Sequence, residues 1–285
     1  MNKKSAILRE AMNQDVVMCP GAWNGLVGSA IARAGFLSCY ISGGATANAS
    51  GYPDVGLISL TEMCRTIHEV SDASNLPVVV DADTGYGEIE SVARTIVEYE
   101  RNGAAAMHIE DQEFPKRCGH LDGKSIVSKS EMCQKIKAAS ENKLNPNFIL
   151  IARTDSRCID GIGSAIDRGL AYREAGADMI FPEGLRNQKE FKQFAKECPG
   201  LLLANMTEFG KTPHLSAEQF GDIGYNLVIY PVTFQRVAMG AITRCLNQLH
   251  KEGSAEGFEN QMQTRQDLYD LLGYVPGEAW SFNNK

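Results

Sequence analysis

The segment FPKRCGHLDGK places five residues of chemical interest next to one another, namely Lys116, Arg117, Cys118, Gly119 and His120. Positive charges beside a thiol lower its pKa, so this cysteine should lose its proton more easily than an isolated one. Four uses are open for such a thiol: metal ligand, disulfide partner, covalent nucleophile or proton donor. A reactive surface thiol on a basic loop is the alternative without a function.

Eight cysteines are scattered along the chain. No two form a Cys-x-x-Cys pair, which argues against zinc-ribbon and thioredoxin-type sites. Several lie in apolar runs such as VVMCPG and FLSCYIS, where a buried free thiol is the ordinary state. The N-terminal stretch MNKKSAILREAMNQ has charges but no apolar core, so it predicts neither a signal peptide nor a membrane anchor. We therefore expect reduced thiols in a cytoplasmic protein.

Four carboxylates stand at points where buried strands should end: Asp81, Asp83, Glu110 and Glu183. Crowded like charges are costly unless a cation neutralises them. Oxygen ligands without a His/Cys cluster suit Mg²⁺, or Mn²⁺, better than Zn²⁺. Any one acid could instead cap a helix or pair with an arginine. The four together predict a divalent metal site.

Arginines and a glycine turn offer binding sites for carboxylates. Arg153 ends the apolar run FILIART, and Arg236 and Arg265 follow later in the chain. A guanidinium can hold a carboxylate with two hydrogen bonds, although an isolated surface arginine is usually only solvated. The turn YISGG, residues 40–44, offers a hydroxyl and backbone amides to an anion. A plain tight turn would have the same composition.

Eight short apolar runs must position these residues, and they span 16–21, 36–42, 77–83, 104–111, 148–154, 178–183, 201–208 and 227–232. Continuous apolarity predicts strands that are buried on both faces, and hence a parallel sheet. Helix-like segments between the runs are long enough for right-handed crossovers. The pattern predicts an α/β chain with one domain over residues 1–285, a (β/α)₈ TIM barrel. A doubly wound sheet is the alternative, but the chain lacks its Gly-x-Gly-x-x-Gly turn.

Two segments fall outside the barrel pattern. Residues 43–59 are rich in Gly, Ala, Ser and Asn, and we expect an ordered loop over the barrel mouth. From about residue 233 the chain is mainly helical and exceeds what one closing helix needs, so an extra helix could pack on a partner subunit. Residues 274–285 are expected to form a loose tail.

The bulk composition limits the kinds of partner that this chain can be expected to bind. The formal net charge is −7 and the pI about 5.4, without any basic run, so we expect no nucleic-acid partner. No window approaches the apolar length of a membrane span.

Together these stretches resemble the isocitrate lyase and phosphoenolpyruvate mutase superfamily, and within it the 2-methylisocitrate lyase family. The resemblance covers essentially the whole chain and is carried by YISGG, GYPDVGL, VDADTGYG, HIEDQ, KRCGH, IARTD, AGADMIFPE, LLANMTEFGKTP, VIYPVT and MQTRQDLYD. KRCGH is the signature of the carbon–carbon lyases, and the mutase-type relatives lack its cysteine. VDADTGYG and the tail are also similar to 2,3-dimethylmalate lyases.

The resemblance implies a metal site and two substrate sites. Asp81 and Asp83 match the Mg²⁺ ligands, and Asp54 and Glu110 match acids that reach the metal largely through water. One substrate carboxylate is expected at Ser42, Gly43 and Gly44. The remaining substrate contacts are expected from Gly119, Arg153, Glu183, Asn205, Met206, Thr207, Arg236 and Arg265.

The implied reaction splits 2-methylisocitrate into pyruvate and succinate, in the methylcitrate cycle of propionate catabolism. Cys118 would give a proton to the departing succinate carbanion, in a positive field from Lys116, Arg117 and His120. Tyr40 is the candidate base or relay for the substrate hydroxyl. The family usually forms a homotetramer with the last helix swapped between subunits.

Three other functions stay open. 2,3-Dimethylmalate lyases share KRCGH. Hydrolases or decarboxylases of the superfamily act on oxaloacetate, but these tend to carry serine where this chain has Pro231. A non-catalytic carboxylate-binding barrel would tolerate loss of Cys118, and the intact ring of acids speaks against it.

Overall fold

The computed structural model describes residues 3–281 apart from 120 and 122. Each predicted apolar run contains one strand, and the bounds are β1 Val17–Pro20, β2 Cys39–Ile41, β3 Val78–Asp81, β4 Ala106–Glu110, β5 Ile149–Thr154, β6 Met179–Pro182, β7 Leu201–Asn205 and β8 Leu227–Tyr230. Their order in the sheet is β1-β8-β7-β6-β5-β4-β3-β2, with parallel pairs. A backbone bridge between Gly21 and Tyr40 brings the two edge strands together. The predicted (β/α)₈ barrel is confirmed.

Helices connect the strands, and their bounds are α1 Lys4–Gln14, α2 Gly25–Arg33, α3 Gly43–Ala49, α4 Leu60–Ser74, α5 Ile89–Arg101, α6 Lys129–Glu141, α7 Arg157–Asp160, α8 Ile162–Glu174, α9 Gln188–Glu197, α10 Ala217–Ile223, α11 Thr233–Glu252 and α12 Arg265–Leu272, with a 3₁₀-helix at Glu256–Gln261. Local sequence explains several helix ends. In α4, Ser59 and Glu62 satisfy each other's backbone amides in a capping box. Helix α9 begins after Asn187, whose side chain accepts from the Glu190 amide.

The apolar side chains form two cores. The larger core lies between the strands and the surrounding helices. The smaller core fills the barrel interior, where Leu8 and Met12 of α1 pack together with Val17 and Leu227, the first residues of β1 and β8. Helix α1 therefore covers the N-terminal end of the barrel. The opposite end is left for polar side chains, as in other barrels of this kind.

The prediction of a loop over residues 43–59 is wrong for its first part. Residues Gly43–Ala49 form α3, because the Ser42 hydroxyl accepts a hydrogen bond from the Ala45 amide at 3.2 Å and alanines follow. The two glycines could equally have continued a turn, so their composition misled the prediction.

The helical C-terminal segment is confirmed. Helix α11 is 20 residues long, and among its residues only Gln235 is buried. Its exposed side chains include Phe234, Val237, Met239, Ile242, Leu246 and Leu249. Part of the predicted tail folds back, since the Trp280 indole donates to the Leu272 carbonyl at 3.0 Å. Residues 282–285 lie outside the described part of the chain.

Across the described ranges, every helix is too short or too polar to cross a bilayer.

Candidate active site

A cavity of about 170 Å³ lies at the C-terminal ends of the strands. It brings together most of the predicted site residues, and its lining includes Tyr40, Ser42, Gly44, Asp54, Asp81, Lys116, Cys118, Gly119, Arg153, Glu183, Asn205, Thr207 and Arg236. A larger cavity, of about 890 Å³, lies beside it under the loops but shares only Asp83 with the predicted set. The smaller cavity is therefore the candidate site, because it gathers the predicted residues.

Asp81 and Asp83 are held in place by backbone and lysine contacts. The amides of Gly43 and Asp83 donate to the two Asp81 oxygens, each at 3.0 Å. The Lys116 ammonium lies 2.7 Å from Asp83 Oδ1 and 2.6 Å from Asp54 Oδ1. The ammonium of Lys116 therefore partly neutralises the group of carboxylates formed by Asp54, Asp81 and Asp83.

Burial and charge set the pKa values of this pair apart. Burial raises the pKa of Asp81, but His108, Lys116 and Arg153 together lower it to about 2. Burial, helped by repulsion from Asp81, raises the pKa of Asp83 to about 6, although Lys116 opposes the change. Asp81 is therefore a fixed anion, whereas the charge on Asp83 depends on the cations around it.

Glu110 is buried beside them, and Arg153 Nη1 lies 3.0 Å from its Oε2. Neither Glu110 oxygen has a hydrogen-bond partner in the described residues. Burial raises the Glu110 pKa well above its ordinary value, against the pull of Arg153 and Lys116.

These residues fit a hydrated Mg²⁺ ion. The donors are hard carboxylate oxygens, and Glu110 Oε1, which has no hydrogen-bond partner in the described residues, could accept from metal-bound water. The described residues contain no cluster of three or more His, Cys, Asp or Glu in direct metal-binding geometry. Mg²⁺ usually keeps several waters and takes one or two carboxylates, so such a cluster is not required.

Glycines let α3 approach the acids closely. A Cβ on Gly43 would lie 2.9 Å from Asp83 Oδ1, and a Cβ on Gly44 would lie 3.0 Å from Asp54 Oδ2. Any side chain at these positions would displace a carboxylate. The Ser42-Gly43-Gly44 turn predicted to bind a carboxylate thus also supports the acid cluster.

Two arginines, Arg153 and Arg236, also line the cavity. Asp155 holds Arg153 with two hydrogen bonds, at 2.9 and 3.1 Å, and Phe181 lies under the guanidinium at 5.2 Å. The Asn205 amide donates to Glu183 at 3.1 Å. Arg236 donates to Thr207 Oγ1 at 3.1 Å. These residues therefore supply guanidinium and amide donors to the cavity, and Asp155 and Glu208 balance the charges of the two arginines.

Tyr40 has a partner that the sequence did not reveal. Its hydroxyl lies 2.7 Å from His108 Nε2, and His108 Nε2 lies 3.6 Å from Asp81 Oδ1. Burial lowers the His108 pKa to about 4, so the imidazole is neutral near pH 7. The sequence contained a signal for His108, because this titratable residue lies inside the apolar run AAAMHIED. Two residues from Glu110 on the same strand, it faces the same way as that acid.

The Cys118 loop is fixed at both ends. The Arg117 amide and carbonyl form two 2.9 Å hydrogen bonds with the Gln112 side chain. On the other side, Lys124 donates to the Gly119 carbonyl and to Asp155 Oδ1. Cys118 is half-buried and lines the cavity. Lys124 was not predicted as a site residue, because it lies among ordinary loop residues.

Four predicted residues lie elsewhere or are not described. Met206 is buried in the larger core between the strands and the helices, and its sulfur accepts a hydrogen bond from the Leu215 amide. Arg117 is exposed. Arg265 begins α12, is exposed and does not belong to the described lining of the cavity. His120 lies outside the described residues. Asn48, which was not predicted, lines the cavity from α3.

Gly119→Ala is expected to lower kcat/KM by about 100-fold, because it would move the loop away from the substrate side. The added Cβ would overlap Arg153 Nη2 and would lie 2.6 Å from Glu183 Cγ. Gly163→Ala in α8 is the matched control, since its Cβ would meet nothing within 4 Å. Equal kcat/KM values for the two variants would show that the close packing of Gly119 has no role.

The fold and this polar mouth define a barrel enzyme of small carboxylates. A family model described as phosphoenolpyruvate phosphomutase matches residues 8–250. The chain belongs to this family.

The relatives and neighbouring structures are similar over nearly the whole chain. The "probable 2-methylisocitrate lyase 1" of Corynebacterium glutamicum is 47% identical over 91% of this chain and 85% of its own length. The 2,3-dimethylmalate lyase of Eubacterium barkeri is 42% identical over 94% of each chain. A crystal structure of a 2,3-dimethylmalate lyase has a TM-score of 0.90 at 35% identity, covering 96% of this chain and 92% of that one. A phosphonopyruvate hydrolase complex with oxalate and Mg²⁺ has a TM-score of 0.85 at 26% identity, over 96% and 95%.

Proposed function

We propose that this chain is a Mg²⁺-dependent carbon–carbon lyase that cleaves 2-methylisocitrate to pyruvate and succinate. The observation that carries the proposal is that one cavity is lined by Cys118 and Arg153 together with the acids Asp54 and Asp81. Several 2-methylisocitrate lyases, 40–45% identical to this chain, support the same substrate.

Asp81 and Asp83 would hold the metal, with Asp54 and Glu110 reaching it through water. The bound ion would lower the pKa of the substrate 2-hydroxyl and stabilise its negative charge. Mn²⁺ has the same ligand preferences and could replace Mg²⁺. The backbone turn at Ser42 and Gly44 would orient the carboxylate of the pyruvate half.

Tyr40 and Cys118 would manage the two protons. Tyr40 would take or relay the proton from the 2-hydroxyl, since its own hydroxyl is already hydrogen-bonded to His108. Cleavage leaves a carbanion on the succinate half, and Cys118 would protonate it from the loop side. Lys116, which lines the same cavity as that thiol, would provide positive charge, and Arg117 and His120 are proposed to add to the field.

The substrate carboxylates of the succinate half would bind at Asn205, Thr207 and Arg236, which line the cavity together. The metal-bound half of the substrate would contact Gly119, Arg153 and Glu183. Met206 would contribute through its backbone, since its side chain is in the core.

We propose a cytoplasmic homotetramer in which the C-terminal helices are exchanged between subunits. The apolar side chains along α11 that face solvent within one chain support a covering partner. Exchange would also bring Arg265 of α12 to the cavity of a neighbouring subunit. The exposure of Arg265 in its own chain allows this contact. The barrel and these helices would form one domain over residues 1–285.

Methylisocitrate is expected to be preferred over isocitrate by about 10- to 200-fold in kcat/KM, because one methyl in a fitted apolar pocket has that effect. Phe181 and Ile229 line the cavity and would surround the methyl. Dimethylmalate has two carboxylates rather than three, so it would leave part of the arginine site unpaired and react more slowly. The measurement is kcat/KM for the three acids and oxaloacetate on one preparation with Mg²⁺.

2,3-Dimethylmalate lyase activity is the second candidate, because a lyase of that name gives the 0.90 structural match. If dimethylmalate has the highest kcat/KM, this second function is correct. Preference for isocitrate would contradict the methyl pocket, and turnover of none of the acids would favour a binding protein.

A further inference from the structure

Lys124 is a buried lysine to which the proposed reaction assigns no role. Its side chain is 1% exposed. The ammonium lies 2.6 Å from Asp155 Oδ1 and also donates to the Gly119 carbonyl. A buried ammonium is costly unless it is paired and hydrogen-bonded, so these two contacts fix where the lysine can be.

The two partners of Lys124 belong to separate segments, the Cys118 loop and the residue that follows β5. Gly119 directly follows Cys118 on the loop. Asp155 follows β5 and holds the Arg153 guanidinium with two hydrogen bonds. Lys124 thus joins the backbone beside the thiol to the carboxylate that fixes the arginine.

The loop and the arginine are packed without spare room. A Cβ on Gly119 would overlap Arg153 Nη2 and would lie 2.6 Å from Glu183 Cγ. Because the Gly119 backbone lies directly against this side chain, its position sets how far the neighbouring thiol lies from the bound substrate.

We propose that Lys124 is a positioning residue that clamps the Cys118 loop against Arg153. This inference rests on the proposed function, in which the thiol must meet the substrate held by the arginine. Arg153 keeps both Asp155 hydrogen bonds without Lys124. Loss of the lysine should therefore lower kcat and leave KM nearly unchanged.

Lys124→Met tests the clamp, because methionine keeps an unbranched apolar stem and removes the ammonium. We expect kcat to fall by about 10- to 100-fold with KM within about threefold, as for a catalytic group that is slightly misplaced. Lys124→Arg retains charge and donors and should recover part of kcat. Lys129→Met is the matched control, because Lys129 is an exposed lysine that forms a 2.6 Å ion pair with Asp167.

A second measurement is independent of turnover. Iodoacetamide is added without substrate, and the modification of Cys118 is followed by mass spectrometry of its peptide. Release of the clamp should raise the Cys118 rate by about tenfold in Lys124→Met, as expected for loss of a charged hydrogen bond. The other seven cysteines and the Lys129→Met variant serve as references.

The two measurements separate the clamp from the proposed function. Faster alkylation of Cys118 together with lower kcat supports the proposal. Unchanged alkylation overturns it, whatever happens to kcat, and so does faster alkylation with unchanged kcat. If the wild-type protein cleaves none of the acids, the proposed function fails and the alkylation measurement still decides whether the clamp exists. If Lys124→Met does not fold, the same two measurements on Lys124→Arg decide, with an intermediate rise in alkylation expected and an unchanged rate contradicting the clamp.

Discussion

Cys118→Ser should lower kcat for methylisocitrate by about 10²- to 10⁴-fold, the range found when a positioned proton donor is lost. A free thiol has a pKa near 8.5, within reach of neutrality, whereas a serine hydroxyl is a far weaker acid. The side chain is half-buried on a loop, so the smaller serine should leave the fold intact. Steady-state kcat and circular dichroism measure the two effects.

Cys133→Ser is the matched control for that prediction. Cys133 is also half-buried, but it lies on α6 and donates to the Ala171 carbonyl at 3.7 Å. Its replacement should leave kcat unchanged. Near-normal turnover of Cys118→Ser would remove the thiol from the mechanism and return the basic loop to a surface feature.

Asp83→Asn should reduce activity by about 10³-fold, because a metal ion contributes several kcal/mol to charge stabilisation in such reactions. Asparagine suits this position, since the backbone φ of 46° favours Asn or Asp over most residues. The variant keeps the shape of the side chain and removes the charge. Turnover with added Mg²⁺ and calorimetric titration with Mg²⁺ give the activity and the metal affinity separately.

Asp167→Asn is the control, because Asp167 is an exposed acid in an ion pair with Lys129. It should bind Mg²⁺ as the unmodified chain does. Excess chelator should abolish turnover of the wild-type protein, and renewed Mg²⁺ should restore it. Full activity in chelator would falsify the metal site.

The barrel could be predicted because its signals are local. Each strand is a continuous apolar run, and acids at the run ends, such as Asp81 and Glu110, must converge when parallel strands close into a barrel. The helix ends were also predictable where caps are explicit, as at Ser59 with Glu62. The acid cluster follows directly from these two patterns.

The rest depends on contacts between distant parts of the chain. The role of His108 depends on β2, which brings the Tyr40 hydroxyl to within 2.7 Å of its Nε2. Lys124 becomes distinctive through Asp155, 31 residues away. The helix within residues 43–59 places the Gly43 amide 3.0 Å from Asp81 Oδ2, a contact that composition does not encode. Arg265 does not line the cavity of its own chain, so its predicted role stays a prediction that depends on the proposed exchange of helices between subunits.

Phe181 and Ile229 belong both to the smaller core, which fills the barrel interior, and to the lining of the cavity. Evolution cannot adjust the substrate methyl pocket at these positions without also altering the barrel's stability. Replacing a buried Ile with Val lowers the free energy of unfolding by about 0.5–1.5 kcal/mol, whereas replacing Phe with Ala lowers it by about 3–5 kcal/mol. Divergence towards smaller or larger acids should therefore proceed through Ile229 by small steps, with Phe181 retained unless neighbouring residues refill the space.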